Sequence, residues 1–249
     1  KKMRQALLDC CVIDWSKISP AIFGSMFQSV MNPTERRNLG AHYTSETNIL
    51  KLIKPLFLDE LWREFESIKD NKNRLPEFHK KLSTLKFLDP ACGCGNFLVI
   101  TYRELRLLEL EILRSLHKHG QQVLDIESII WLDVDMMHGI EYEEFPARIA
   151  EVAMWLIDHQ MNMQISNEFG QYFARLPLKK SAKIINGNAL QTDWETVVAK
   201  NELSYILGNP PFLGKSNQNV EQKADMEKVF AGYKGTGVLD YVAAWYLKA

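Results

Sequence analysis

The spacing of apolar residues changes along the chain, and the change divides it. Up to residue 68 they recur at helical spacing. Ser19-Pro20 is a helix start with Pro at the first helical position, where its missing N–H is not needed. Asn32-Pro33 marks a stop or turn. Thr44 or Ser45 can cap the next helix, and Glu46 in its first turn complements the positive end of the dipole. Ile49, Leu50, Leu52 and Ile53 give that helix an apolar face. Pro55 predicts a kink or restart before Leu58, Leu61, Trp62 and Phe65 resume the pattern. From Ile68 to Lys81 the composition turns polar, with Asp70, Asn71, Lys72, Asn73 and Arg74, so residues 69–85 read as a linker.

Beyond the linker, strands and helices alternate. Lys86 to Asp89 is a short strand, and a glycine turn leads into a helix from about Phe97 that ends where His117-Lys118-His119 meets Gly120. A second strand lies at Met137 to Tyr142, and Pro146 opens a helix running through Trp155 and Leu156. Lys183 to Asn186 and Ser204 to Leu207 supply two more strands. Such alternation predicts an α/β fold, a Rossmann-like, doubly wound and mainly parallel sheet, over residues 86–249, behind an N-terminal helical lobe over residues 1–68. Four strands make a thin sheet, and the sequence stops inside an apparent helix from Val238 to Ala249; the expectation is a core incomplete at its C-terminal side.

Composition narrows the function classes. The apolar share of 46% and charged share of 24% are those of a globular protein with a sizeable core. No apolar run approaches the roughly 18 residues of a bilayer span, and Asp9 and Asp14 spoil a secretory signal, so no membrane and a cytoplasmic location are expected. The formal net charge of −1 argues against a free-standing nucleic-acid-binding domain, because phosphate neutralisation favours a basic excess. A catalytic domain gripping DNA mostly through other parts is compatible with it. Cys10-Cys11 and Cys92/Cys94 lack the spacing of a zinc site, and the six histidines form no ligand set, so no metal is expected and the cysteines read as small buried thiols.

The candidate chemistry begins at Asp89-Pro90-Ala91-Cys92-Gly93-Cys94-Gly95-Asn96-Phe97. A turn at the carboxyl end of a strand is where open α/β sheets bind nucleotides, and Gly93 and Gly95 allow a sharp turn and close ligand approach. A structural glycine turn is the plain alternative. No Gly-Lys-Ser/Thr follows, which excludes a phosphate-binding P-loop. Asp89 would repel a pyrophosphate yet can accept from an ammonium group, so a cofactor with an amino-acid end and a positive sulfur fits the charge better than a dinucleotide. Glu141, after Gly139-Ile140, can accept both ribose hydroxyls of an adenosyl group. Glu143, Glu144 and Asp135 compete for that role, as does a solvated strand end. Gly187-Asn188-Ala189-Leu190 follows the third strand; there the Asn188 oxygen can accept from an adenine amine, and an ordinary loop is the alternative.

Asn209-Pro210-Pro211-Phe212 follows the fourth strand, so it should share a sheet edge with the glycine turn. Consecutive prolines stiffen the turn and donate nothing. The Asn209 oxygen and the Pro210 carbonyl could accept from an exocyclic amine and draw it toward tetrahedral geometry, while Phe212 stacks on the base of an extruded nucleotide. A plain proline turn is the alternative. Lys215 is either a phosphate contact or a solvated loop lysine.

These segments together resemble the γ-group N6-adenine DNA methyltransferases. In that family the position of Cys94 is usually Ser or Thr and that of Asn188 usually Asp. The resemblance implies S-adenosyl-L-methionine as cofactor, its methionine end held at Asp89, Ala91 and Gly93, its ribose at Glu141 and its adenine at Asn188 and Ala189. Arg36 to Thr44 resembles the segment that closes over the cofactor, with Thr44 meeting the methionine carboxylate. Gly237 to Tyr241, leading toward Trp245, resembles the helix that walls the adenosyl pocket. From about residue 12 the chain is similar to the methylase region of single-chain type II restriction-and-modification enzymes. The implied partners are double-stranded DNA with a flipped adenine, and nuclease and target-recognition domains elsewhere in a longer chain. Methyltransferases of RNA guanine N2 and of protein glutamine share Asn-Pro-Pro-aromatic turns, and a fragment that binds cofactor without catalysis is a third possibility.

Overall fold

The computed structural model describes residues 2–14, 18–30, 44–118, 126–173 and 181–249. The Asn32-Pro33 stop, the Arg36 to Tyr43 part of the closing segment, His119 and Gly120 lie outside the described residues. Four parallel strands, β1 (Phe87–Asp89), β2 (Met137–Glu141), β3 (Lys183–Asn186) and β4 (Tyr205–Ile206), form a sheet of order β3-β2-β1-β4. The expected α/β class and parallel sheet are therefore present.

The pleat sends alternate residues to opposite faces. Phe87, Met137, Ile184 and Tyr205 join one hydrophobic cluster, and Leu88, Ile140, Ile185 and Ile206 join another. Both faces are buried, as a parallel sheet requires. The first face is covered by α6 (Asn96–Lys118) and α7 (Glu144–Phe169), with α3 (Glu46–Ile53), α4 (Asp59–Ile68) and α5 (Arg74–Ser83) packed outside α6. The second is covered by the segment around Trp194, by α8 (Val220–Val229) and by α9 (Ala243–Lys248).

Ahead of these lie α1 (Lys2–Cys11), which buries no residue, and α2 (Ile22–Val30). At Pro55, where a kink or restart is expected, the helix is interrupted locally without restarting. The turn at Lys54–Leu58 widens to π geometry and continues into α4, which accommodates the missing N–H while burying Phe57 and Leu58. Leu52 is exposed, unlike Ile49 and Ile53.

Residues 69–85 are not a linker. They carry α5, whose Leu75, Phe78, His79 and Leu82 are buried against the core, while Asp70 to Asn73, which suggested a connection, form the exposed turn before it and Arg74 its first residue. Of the cysteines, Cys92 and Cys94 are buried as expected. Cys10 and Cys11 are exposed, on a helix that buries none of its residues among the described ones.

A charged network lies inside the helical layer. Arg106 is completely buried and bonds Asp158 at 2.8 Å, Tyr102 at 2.7 Å and Asn162 at 2.6 Å, with Glu109 2.9 Å from its Nε. Glu109 also accepts from Trp131 N and Leu132 N and contacts His79 at 2.7 Å. Burial opposes its charge, but His79 and Arg106 prevail and hold it below the ordinary carboxylate range. The network fixes α5, α6 and α7 in one arrangement. Arg106→Met would leave two acids buried without their cation, so urea denaturation should show a loss of about 3–5 kcal/mol; a loss under about 1 kcal/mol would show that these acids find other partners.

Candidate functional site

The chain leaves β1 to form β2 on one side and returns to form β4 on the other. Loops after β1 and β4 therefore diverge, opening a crevice beyond the strand ends where such sheets bind ligands. Both sequence motifs stand there.

After β1 the backbone turns through Gly93 at φ +54° and Gly95 at φ +83°, conformations that favour glycine. At Gly95 a Cβ would also lie 3.0 Å from the Ala150 Cβ, so the glycine lets α7 approach the start of α6. The turn is tied to β2. Cys92 N donates to Ile140 O at 3.1 Å, and Gly93 N donates to the Glu141 carboxylate at 2.8 Å. The other Glu141 oxygen accepts from Glu143 N at 3.0 Å. Burial raises the Glu141 pKa above its ordinary value, and these N–H groups partly offset it.

Asp89 is 1% exposed. Its Oδ1 accepts from Ala91 N at 3.0 Å, while its buried Oδ2 has no hydrogen-bond partner among the described residues. Burial pushes its pKa up to about 8, with the Glu141 charge adding and the Ala91 N–H opposing. The carboxylate also packs against Gly208, where a Cβ would collide with Oδ1 and lie 3.0 Å from Cγ. Only a residue without a side chain fits there, immediately before Asn209.

The proline turn is held at both ends. Asn209 Nδ2 donates to Thr44 Oγ1 at 3.2 Å, which leaves the amide oxygen free of that contact. Leu213 N donates to Asp240 at 2.9 Å, and Leu213 O accepts from Tyr241 N at 3.0 Å and Gln218 Nε2 at 2.9 Å. Phe212, between these anchors, is 59% exposed.

At the other end of the crevice, the Asn188 amide oxygen accepts from Leu190 N at 2.9 Å and its Nδ2 donates to Asp225 at 2.8 Å. Ala189 O accepts from the Trp194 indole at 2.8 Å. Trp245, on α9, donates its indole N–H to Pro90 O at 3.0 Å and closes the second face over the glycine turn.

Thr44, Ala91, Gly93 and Glu141 line one cavity of about 630 Å³ together with Asn188, Ala189, Asn209 and Pro211. Asp89, Pro210 and Phe212 adjoin these residues in sequence but lie outside the lining. The volume lies within the range of about 300–1,000 Å³ common for small-molecule pockets. Glycine backbone and the Glu141 carboxylate on the lining suit a ligand with hydroxyl donors, with the Asp89 carboxyl buried behind them. Among the described residues no group of three His, Cys, Asp or Glu is placed to hold a metal ion, and no helix is long and apolar enough to cross a membrane.

Sequence reasoning missed Gly208, Asp225 and Gln191, and it named Asp240 only within the pocket-wall segment, not as the partner of Leu213. Gly208 had a signal, as a glycine directly between a strand and Asn209. Asp225 had little, since an acid in α8 looks like any solvated helix residue until its burial is known.

Comparison with known proteins gives a consistent result. The family model described as "MmeI, DNA-methyltransferase domain" matches residues 65–249. DNA methyltransferase A of Bacillus subtilis (strain 168) is 40% identical over 249 residues, covering 98% of this chain and 28% of that protein. A solved structure of the type IIL restriction-modification enzyme MmeI in complex with DNA superposes with a TM-score of 0.94 at 68% identity, covering all of this chain and 33% of that one. The chain thus spans about a third or less of the length of these relatives.

The Asp89 environment predicts a pH effect on stability. An acid whose folded pKa exceeds its unfolded value binds protons more tightly when folded, so stability falls as pH rises between about pH 4 and pH 8 and levels off above. Asp89→Asn removes that loss. Without ligand, its melting temperature should gain on the wild type steadily across this range; a constant difference would show that Asp89 is not held protonated.

Proposed function

The chain belongs to the family of MmeI DNA-methyltransferase domains, and from that premise we propose that it transfers a methyl group from S-adenosyl-L-methionine to the N6 amino group of adenine in double-stranded DNA, within a longer restriction-modification enzyme acting in the cytoplasm. The observation that carries this reading is the meeting of the glycine turn and the Asn209 to Phe212 turn at the walls of one cavity.

The cofactor supplies an electrophilic methyl on a sulfonium, which leaves as a neutral thioether with the bonding pair. The residues of the chain bind, orient and exclude water. Ala91, Gly93 and Thr44 face the methionine end, with Asp89 behind them as a partner for its ammonium. Glu141 takes the ribose hydroxyls, and Asn188 and Ala189 border the adenine. At the target base, the Asn209 oxygen and the Pro210 carbonyl accept from the amine, so its nitrogen lone pair is turned out of the ring and toward the methyl. The Asn209–Thr44 hydrogen bond supports this orientation, since the amide nitrogen is already engaged and the oxygen is left for the amine. Phe212, exposed beside that point, offers its face to an extruded base. Methyl transfer makes the amine acidic, and its proton passes to solvent. Positioning carries most of the acceleration in such a site.

DNA recognition and cleavage are assigned to parts of the longer protein outside this chain. RNA guanine and protein glutamine are the rival acceptors, and a cofactor-binding module without catalysis is the rival class. Labelled-methyl transfer by the full-length protein should reach duplex DNA and neither ribosomal RNA nor a release factor; label only in RNA or protein overturns the DNA reading. In the same protein, Asn209→Ala should keep cofactor affinity by calorimetry within about threefold and lose about 10²–10³ in single-turnover rate, the scale for removing one positioned polar group. An unchanged rate would refute the role given to the turn.

A further inference from the structure

We propose that Asp225 is the residue that selects adenine in the cofactor, by accepting a hydrogen bond from its exocyclic amine, and that Asn188 serves to hold Asp225 in place. The inference rests on the cofactor reading above and adds a residue that the motifs do not contain.

Asn188 is poorly placed to read an amine itself. Its side-chain oxygen already accepts from Leu190 N and its nitrogen donates to Asp225, which leaves one lone pair on a neutral oxygen, a weaker acceptor than the Asp225 carboxylate. Asp225 is 4% exposed and lines the cavity. Its Oδ2 accepts from Asn188 Nδ2 at 2.8 Å and from the Tyr241 hydroxyl at 3.0 Å, and its Oδ1 accepts from Gln191 Nε2 at 2.8 Å. A carboxylate accepts about four hydrogen bonds, two on each oxygen. Oδ2 is filled, whereas Oδ1 keeps one position open among the described residues. All three donors are neutral. Lys248 feels the Asp225 charge through space but spends its ammonium group on the carbonyls of Leu190 and Thr192. A buried carboxylate held this way, with an acceptor position to spare in a cavity, is suited to a donor brought by the ligand.

The position along the cavity identifies that donor. Glu141 stands at the ribose in that reading, and Tyr142, the next residue, hydrogen-bonds Glu221, which lies one helical turn before Asp225 on α8. The wall thus runs from the ribose acid to Asp225, with Ala189 alongside. A base attached to that ribose would present its edge to Asp225. Adenine offers an N–H there. A 6-oxo purine offers a lone pair, which a carboxylate repels.

The test is calorimetry on the full-length protein with S-adenosylhomocysteine and with S-inosylhomocysteine, in which an oxo group replaces the amine. The wild type should bind the adenosyl compound at least about 30-fold more tightly, since a lost bond and an opposed pair of acceptors add. Asp225→Asn can turn an N–H toward the oxo group, and should reduce the preference to within about threefold. Tyr241→Phe keeps the carboxylate and should keep the preference, which provides an independent arm if Asp225→Asn does not fold. Equal binding of the two compounds by the wild type, an undiminished preference in Asp225→Asn, or a preference lost in Tyr241→Phe overturns the inference. Binding of neither compound by the wild type overturns the cofactor reading itself.

Discussion

The contact between the Asp89 carboxylate and Gly208 is the constraint on which the site depends. β1 and β4 are adjacent, and each ends in a segment with its own chemistry. The two segments can share a cavity only if the strand ends approach closely. They do so because residue 208 has no side chain and the space is taken by a carboxylate. The carboxylate is then buried with one oxygen unpartnered among the described residues, which costs stability in the absence of a ligand. Stability given up at that point is the expected mark of a functional site.

Around this junction the rest of the structure acts as support. Glu141 fastens the glycine turn to β2, Asp240 and Gln218 hold the exit of the proline turn, and Thr44 engages Asn209 from the N-terminal lobe. The Arg106 network keeps the helical layer rigid beneath them. The same side chains that bind ligand in the proposed reading also join one loop to another. Cofactor affinity and turn geometry are therefore expected to change together when a junction residue is altered.

Much of this was legible in the sequence because short-range chemistry determined it. Strand-helix alternation, the glycine turn and the two prolines each announce a local backbone that the fold keeps, and β3 matches its expected limits at Lys183 and Asn186. The errors share a different cause. Residues 69–85 look like a linker because their polar side chains outnumber their apolar ones, yet Leu75, Phe78 and Leu82 at helical spacing suffice to bury one face. The π turn at Pro55 depends on Phe57 packing against Phe87 and Tyr205, contacts far apart in sequence. Asp225 and Gly208 matter through what lies across the cavity or behind the strand, and no local pattern encodes that. Asn188 was named from its motif, but its bonding to Asp225 depends on a helix far along the chain and had no local sign.

The most direct measurement is made on Gly208→Ala in the full-length protein, with cofactor affinity and single-turnover methyl transfer recorded in parallel and Gly214→Ala, where an added methyl meets open space, as control. A methyl at 208 must displace either the Asp89 carboxylate or the proline turn. The predicted result is a folded protein with at least about tenfold loss in both quantities, against an unaffected control. Wild-type affinity and rate in Gly208→Ala would contradict the claim that this contact joins the two halves of the site.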